Sequence, residues 1–265
     1  MKREINKTNL LHYMKKCSIS LIILISIALL AGCKGRKSEK KAEGTNPEAI
    51  AAADSVVQYK SGNNLIKEIT FRNGVREGLM KSFYAGGQLY QTFWYENGLR
   101  EDSVRWYYLE GQLFRTTPYK HDTIDGIQKQ FYRNGKLKAK IGYSKGMRTR
   151  FFQEFTDEGK LFGPYPEITV TIQDSYRKNG AYIIDLGLSD KNTEVKFFRG
   201  NFINERFDTT MCKYIKPSNG KSIIYLKKTA KAGPDHIDII AAMTTLFGNK
   251  YLGYKKIDLP YNDLN

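Results

Sequence analysis

The chain has 265 residues and is strongly basic, with 43 Lys and Arg against 27 Asp and Glu and a formal net charge of +16. Its three cysteines exclude a disulfide framework and a cysteine metal site. Cys17 and Cys33 lie just before and just beyond an N-terminal apolar run, which leaves Cys212 without an intramolecular partner and marks it as a small buried apolar residue.

Met14-Lys15-Lys16 is a short positive segment, followed by an apolar run from Ile19 to Leu30 and then Leu30-Ala31-Gly32-Cys33. The run is too short for a stable spanning helix, which needs ~20 apolar residues, and has the length of a signal-peptide core. It resembles a bacterial lipobox: Ala31 and Gly32 are small enough for a signal peptidase, and the thiol of Cys33 sits where a diacylglycerol is attached. The resemblance implies a lipoprotein with signal peptide 1–32, cut before Cys33 and held at a membrane by acyl chains on that residue. No cofactor is expected beyond this covalent lipid on Cys33. The expected location is the cell envelope, on the outer membrane and facing the periplasm. Export turns the basic charge away from nucleic acid and towards anionic lipid, a phosphorylated glycolipid or an acidic protein.

Residues 33–53 read as a tether. Its first part, Lys34 to Lys41, is basic and polar, and Asn46-Pro47 is a suitable start for a short helix.

Residues 54–164 repeat with a period of 24. Gly87-Gln88-Leu89, Gly111-Gln112-Leu113, Gly135-Lys136-Leu137 and Gly159-Lys160-Leu161 form one set of columns; Phe71, Tyr95, Tyr119 and Tyr143 form another; Phe83, Tyr107, Phe131 and Phe155 a third. Asn73-Gly74 and Asn97-Gly98 are hairpin turns, and the glycine of each first column marks a second turn. Between the turns run segments rich in Phe, Tyr, Trp, Ile and Thr, as strands are. Each unit is thus a β-hairpin that completes its burial only against its neighbours. Leu65, Leu89, Leu113, Leu137 and Leu161 share one column and are expected to point the same way and be largely buried.

The motif Phe71-Arg-Asn-Gly-Val-Arg-Glu-Gly78, then Phe83-Tyr84-Ala-Gly-Gly-Gln-Leu89, resembles the MORN-repeat-variant family, whose members are also described as antitoxin components. The resemblance covers residues 59–164. The pattern departs at Asp102, at His121-Asp122 and at Arg150, where glycine or Asn-Gly would stand. It implies a hairpin array used as a scaffold or binding surface.

Pro164-Tyr165-Pro166 breaks the register, and residues 165–265 form a further domain. Strand-like runs at 168–172, 181–188, 194–202, 222–229, 237–245 and 251–257 alternate with turns such as Asn179-Gly180 and Gly248-Asn249. This spacing predicts a small β-sandwich. The run Ile237 to Thr245 fits a strand or a helix face equally. The fold class is therefore all-β: a repeat array of antiparallel hairpins followed by a β-sandwich-like domain.

Catalytic patterns are scarce. Asp235-His236-Ile237-Asp238 reads as a polar turn entering a strand, and Glu101-Asp102 and Asp157-Glu158 as turn carboxylates. No metal site, catalytic residue or enzymatic activity is expected. The candidate binding residues are two basic columns, Arg76/Arg100/Arg148 and Lys81/Arg105/Lys129, that would form charge ladders along the array. Trp94, Trp106, Tyr84, Tyr108 and Tyr132 are either exposed stacking residues or cross-strand pairs. The expectation is a non-catalytic binding or scaffold module for another envelope component, first a protein. A glycan-binding or glycan-processing lipoprotein is the alternative, for which the partner would be an anionic glycan or glycolipid. An immunity-type inhibitor rests on the family likeness alone.

Overall fold

The computed structural model describes residues 54–219 and 221–265. The segments expected to be a signal peptide, a tether and a short helix at Asn46-Pro47, and with them Cys33, lie outside the described residues.

Eleven strands form one antiparallel sheet: β1 Ser55–Ser61, β2 Asn64–Arg72, β3 Val75–Phe83, β4 Leu89–Glu96, β5 Leu99–Tyr107, β6 Leu113–Lys120, β7 Thr123–Ile124, β8 Gly126–Phe131, β9 Leu137–Ser144, β10 Met147–Phe155 and β11 Leu161–Phe162. Each pairs with the next in sequence, except that β7 and β8 both lie along β6 as two pieces of one interrupted strand. The two kinds of turn alternate as the repeat demands. Asn73-Gly74, Asn97-Gly98, His121-Asp122 and Lys145-Gly146 all have positive φ at both residues, the conformation of a type I′ hairpin. His121 and Asp122 therefore hold, at φ 49° and 63°, a shape for which Asn-Gly is better suited. The other turns close through Gly87, Gly111, Gly135 and Gly159, each donating its N–H to the carbonyl three residues back.

Partway along β3 and β5 the ladder shifts register by two residues, at Gly78 and Asp102, both with positive φ. The same place in the third repeat is Gly126, φ 113°, where β7 gives way to β8. The later glycine of the motif is thus a bulge residue, and Asp102 takes the glycine conformation.

A row of buried side chains crosses the sheet on one face: Val57, Ile69, Met80, Val104, Thr117, Gln128 and Ile141. Gln128 donates to the Thr117 hydroxyl at 3.0 Å, which satisfies both polar groups inside this row. The leucine column does not contribute as expected. Leu65, Leu89, Leu113 and Leu137 are only half-buried, and Leu161 is 64% exposed. Leu89, Leu113, Leu137 and Leu161 each start a strand directly after a turn, at the rim of a sheet that is a single layer there, so nothing closes over them.

After β11 the chain forms two further sheets. One has β12 (Ile168–Ser175), β13 (Ala181–Leu188) and β16 (Ser222–Lys227); the other has β15 (Lys213–Ile215), β14 (Val195–Arg199), β17 (His236–Thr244) and β18 (Lys250–Asp258) in the order β15-β14-β17-β18. A single helical turn, α1 (Tyr176–Asn179), links β12 to β13 and ends on Gly180 at φ 71°. The sheets pack face to face. Tyr182, Ile184, Leu186 and Leu188 alternate inward from β13 and meet Ile237, Ile239, Ala241 and Met243 of β17. The opposite side of β17 is buried as well: Ile240 and Ala242 join Leu252 and Cys212 under Phe198, Phe202 and Phe207. A strand covered on both faces reads as a continuous apolar run, which is why Ile237 to Thr245 had no strand period. Cys212 is buried as expected, and burial raises its thiol pKa.

The last repeat hairpin and the sandwich meet at Glu154, which is fully buried. Its carboxylate accepts from the Thr245 hydroxyl at 2.7 Å, the Asn249 amide at 2.7 Å and the Tyr165 phenol at 3.2 Å. Gln130 of β8 donates to Asn249 at 2.8 Å, so the same contact reaches one hairpin further back. Burial, and then the nearby Glu154 carboxylate, push the Tyr165 phenol far above its ordinary pKa.

Candidate binding face of the repeat sheet

Residues directly opposite in an antiparallel pair share a face, and neighbours along a strand alternate. The strand register therefore runs one unbroken row across nine strands: Gln58, Glu68, Lys81, Thr92, Arg105, Thr116, Lys129, Lys140 and Gln153. Lys81, Arg105 and Lys129 recur every second strand, a separation of about 10 Å. Thr92 and Thr116 fill the strands between them. The row is on the face opposite the buried Val57-to-Ile141 row and opposite Glu154.

Two of these cations have acidic neighbours. Lys81 lies 3.3 Å from Glu68, whose pKa is lowered by hydrogen bonds first from Gln58 and then from Lys81. Arg105 lies 3.8 Å from Asp102. Both are substantially exposed, at 38% and 44% of the side chain. Lys129 and Lys140 are direct cross-strand neighbours, and among the described residues neither has an acidic side chain at ion-pair distance. Lys140 rests 5.9 Å above the Phe155 ring. Two residues further along the strands, on the same face, lies a line of exposed apolar side chains: Leu79, Trp94, Ile127 and Phe151.

The second basic column is elsewhere. Arg76, Arg100 and Arg148 stand opposite Phe71, Tyr95 and Tyr143, each an odd number of positions from the Lys81 row, which places them on the reverse face. The guanidinium groups there stack on rings: Arg76 at 5.6 Å from Tyr95, Arg100 at 4.4 Å from Tyr119 and Arg148 at 5.4 Å from Tyr143. Arg100 also binds Asp122 at 2.7 Å. Arg148 donates to the carbonyl of Lys250 at 2.8 Å, and its burial lowers its pKa. This column packs rings and turns together, and only Lys81, Arg105 and Lys129 form a common ladder on the free face.

Two further ladders were hidden by their chemistry. Tyr84, Tyr108 and Tyr132 donate their phenols to the carbonyls of Tyr107, Phe131 and Phe155 at 2.8, 2.9 and 2.7 Å, each reaching into the next repeat. Glu77, Glu101 and Asp125 accept the turn N–H of Asn97, His121 and Lys145 at 2.7, 2.8 and 3.4 Å. Their 24-residue spacing was the available signal. Trp106 lies under the Arg115 guanidinium at 4.0 Å, so it too is a packing residue. His236 sits between Asp235 and Asp238, and the Tyr254 phenol donates to Asp238 at 2.7 Å.

The architecture is that of an all-β hairpin-repeat protein with a regular basic row on one face. The MORN repeat variant family model matches residues 76–97, 103–121 and 124–145, so these three units are repeats of the MORN-variant kind. No curated protein and no solved structure matches the chain.

Proposed function

We propose that this protein is a non-catalytic binding module of the bacterial envelope. Acyl chains on Cys33 hold it at a membrane, with the outer membrane facing the periplasm as its site, and the free face of its repeat sheet captures a negatively charged envelope component. The observation that carries the reading is the Lys81-to-Lys140 row, a periodic cationic surface set on a rigid sheet. Repeats of the MORN-variant kind are compatible with a binding role. Supporting it further, the reverse face is occupied: it carries the buried row, the Arg–Tyr stacks and the contact with the sandwich.

The test is affinity capture from detergent-solubilised envelopes, with the acylated chain as bait. Capture is expected to weaken as salt rises, because exposed charges are screened over ~8 Å at physiological ionic strength. It is also expected to fall in the Arg105→Glu/Lys129→Glu double variant. Salt-independent capture that this variant retains in full would remove the basic face from the function. Labelled palmitate entering a Cys33→Ala chain would remove the anchor.

A further inference from the structure

Lys129 and Lys140 pose a physical question. Like charges directly opposite one another in a sheet oppose its stability. These two have no acidic neighbour among the described residues to offset the repulsion. Such a pair is relieved when an anion sits between the two ammonium groups. The pair is also one end of a regular series, since Arg105 and Lys81 continue it at intervals of about 10 Å. Glu68 pairs with Lys81 partly buried, and Asp102 lies 3.8 Å from Arg105 as an exposed pair of the kind that contributes little and is readily exchanged for another anion.

From this spacing we infer that the occupant is a linear anionic polysaccharide with one negative charge per disaccharide, lying across the strands along the Lys81-to-Lys140 row. This inference deepens the proposed binding function and rests on it. Two pyranose rings joined end to end span nearly the interval between successive cations, so a chain charged on alternate sugars meets one cation per disaccharide. Between Arg105 and Lys129 stands Thr116, partly accessible, whose hydroxyl can donate to and accept from an uncharged sugar's hydroxyls; Thr92, between Lys81 and Arg105, is buried. Beside them Trp94, Ile127 and Phe151 are exposed on the same face and offer apolar surface to the flat sides of sugar rings. An acidic peptide fits less well: its carboxylates follow its own strand or helix period, which does not match the interval between the cations.

The probe is hyaluronan, a polymer of alternating uronic acid and neutral sugar, titrated as oligosaccharides of increasing length into the full acylated chain in detergent. Poly-glutamate and a neutral glucan serve as comparisons. Affinity is expected to rise with each added disaccharide until the row is filled, to fall about tenfold or more in Arg105→Glu and in Lys129→Glu, and to stay unchanged in Lys178→Glu, an exposed charge of the sandwich. Trp94→Ala is expected to weaken hyaluronan and leave any poly-glutamate binding untouched. Circular dichroism of each variant separates loss of binding from loss of fold. Poly-glutamate binding through Arg105 and Lys129 with no length-dependent hyaluronan binding would overturn the polysaccharide and leave the basic binding face standing. Failure of both polymers, with envelope capture also unaffected by Arg105→Glu/Lys129→Glu, would overturn both.

Discussion

The phenol of Tyr84 donates a 2.8 Å hydrogen bond to the carbonyl of Tyr107, the residue that precedes the equivalent tyrosine of the next repeat. Tyr108 and Tyr132 repeat the contact, so the repeats are joined along one rim by side chains as well as by the strand ladder. Tyr108→Phe keeps the ring and removes the donor, leaving the Phe131 carbonyl short of a partner. The expected cost is ~0.5–1.5 kcal/mol, read as a lower urea midpoint with an unchanged slope.

At the opposite rim Asp122 ties the third turn to Arg100. Side-chain and then backbone hydrogen bonds from Arg100 lower the Asp122 pKa below its unfolded value. A depressed carboxylate stabilises the fold fully above the unfolded value, about 3.9. The contribution is lost as pH falls through the lower folded value. Asp122→Asn should therefore be less stable than wild type at neutral pH and approach it at strongly acidic pH. Paired urea titrations across that range check the convergence.

Glu154 is expected to be the most sensitive single position in the junction. Replacing it with Leu removes the acceptor shared by Thr245, Asn249 and Tyr165 and leaves three donors in a buried place. Each unpaired group costs ~1–3 kcal/mol, so Glu154→Leu should destabilise by several kcal/mol, and Thr245→Val by much less. The double variant should cost less than the two singles added, because they share one contact. Thermal unfolding of the four proteins gives the cycle.

Truncations should grade by layer. Leu226, 2% exposed in the sandwich core, should lose ~2–5 kcal/mol on change to Ala. Leu161, at the sheet rim, should change by less than ~0.5 kcal/mol, and Leu113 should fall between them. Equal costs at Leu226 and Leu161 would contradict the single-layer rim.

The repeat was legible in the sequence because its turns demand unusual backbone. Asn97-Gly98 and the glycine at 111 announce positive φ, and the strands between follow from composition. His121-Asp122 carries no Asn-Gly signal and was legible as the same turn only from its place in the 24-residue column; its conformation is imposed by the flanking hairpin. The basic columns were visible as columns, yet their faces were not. Whether Arg100 and Arg105 share a side depends on their pairing partners, Tyr95 and Thr92. The leucine column misled because a 24-residue period fixes position along a strand and says nothing about whether a second layer covers it. The junction left no local trace: Glu154 and its partner Asn249 are 95 residues apart and become neighbours only when both sheets have formed.

The contacts of the hairpin units run mainly to the unit immediately before or after, and they recur at a constant offset. Gene duplication or loss of a 24-residue block inside the array would therefore leave the junction at Glu154 undisturbed and rebuild the same contacts at the splice. Each added block would lengthen the cationic row by one step of about 10 Å. The protein is in this sense a ruler whose length can be edited in whole units.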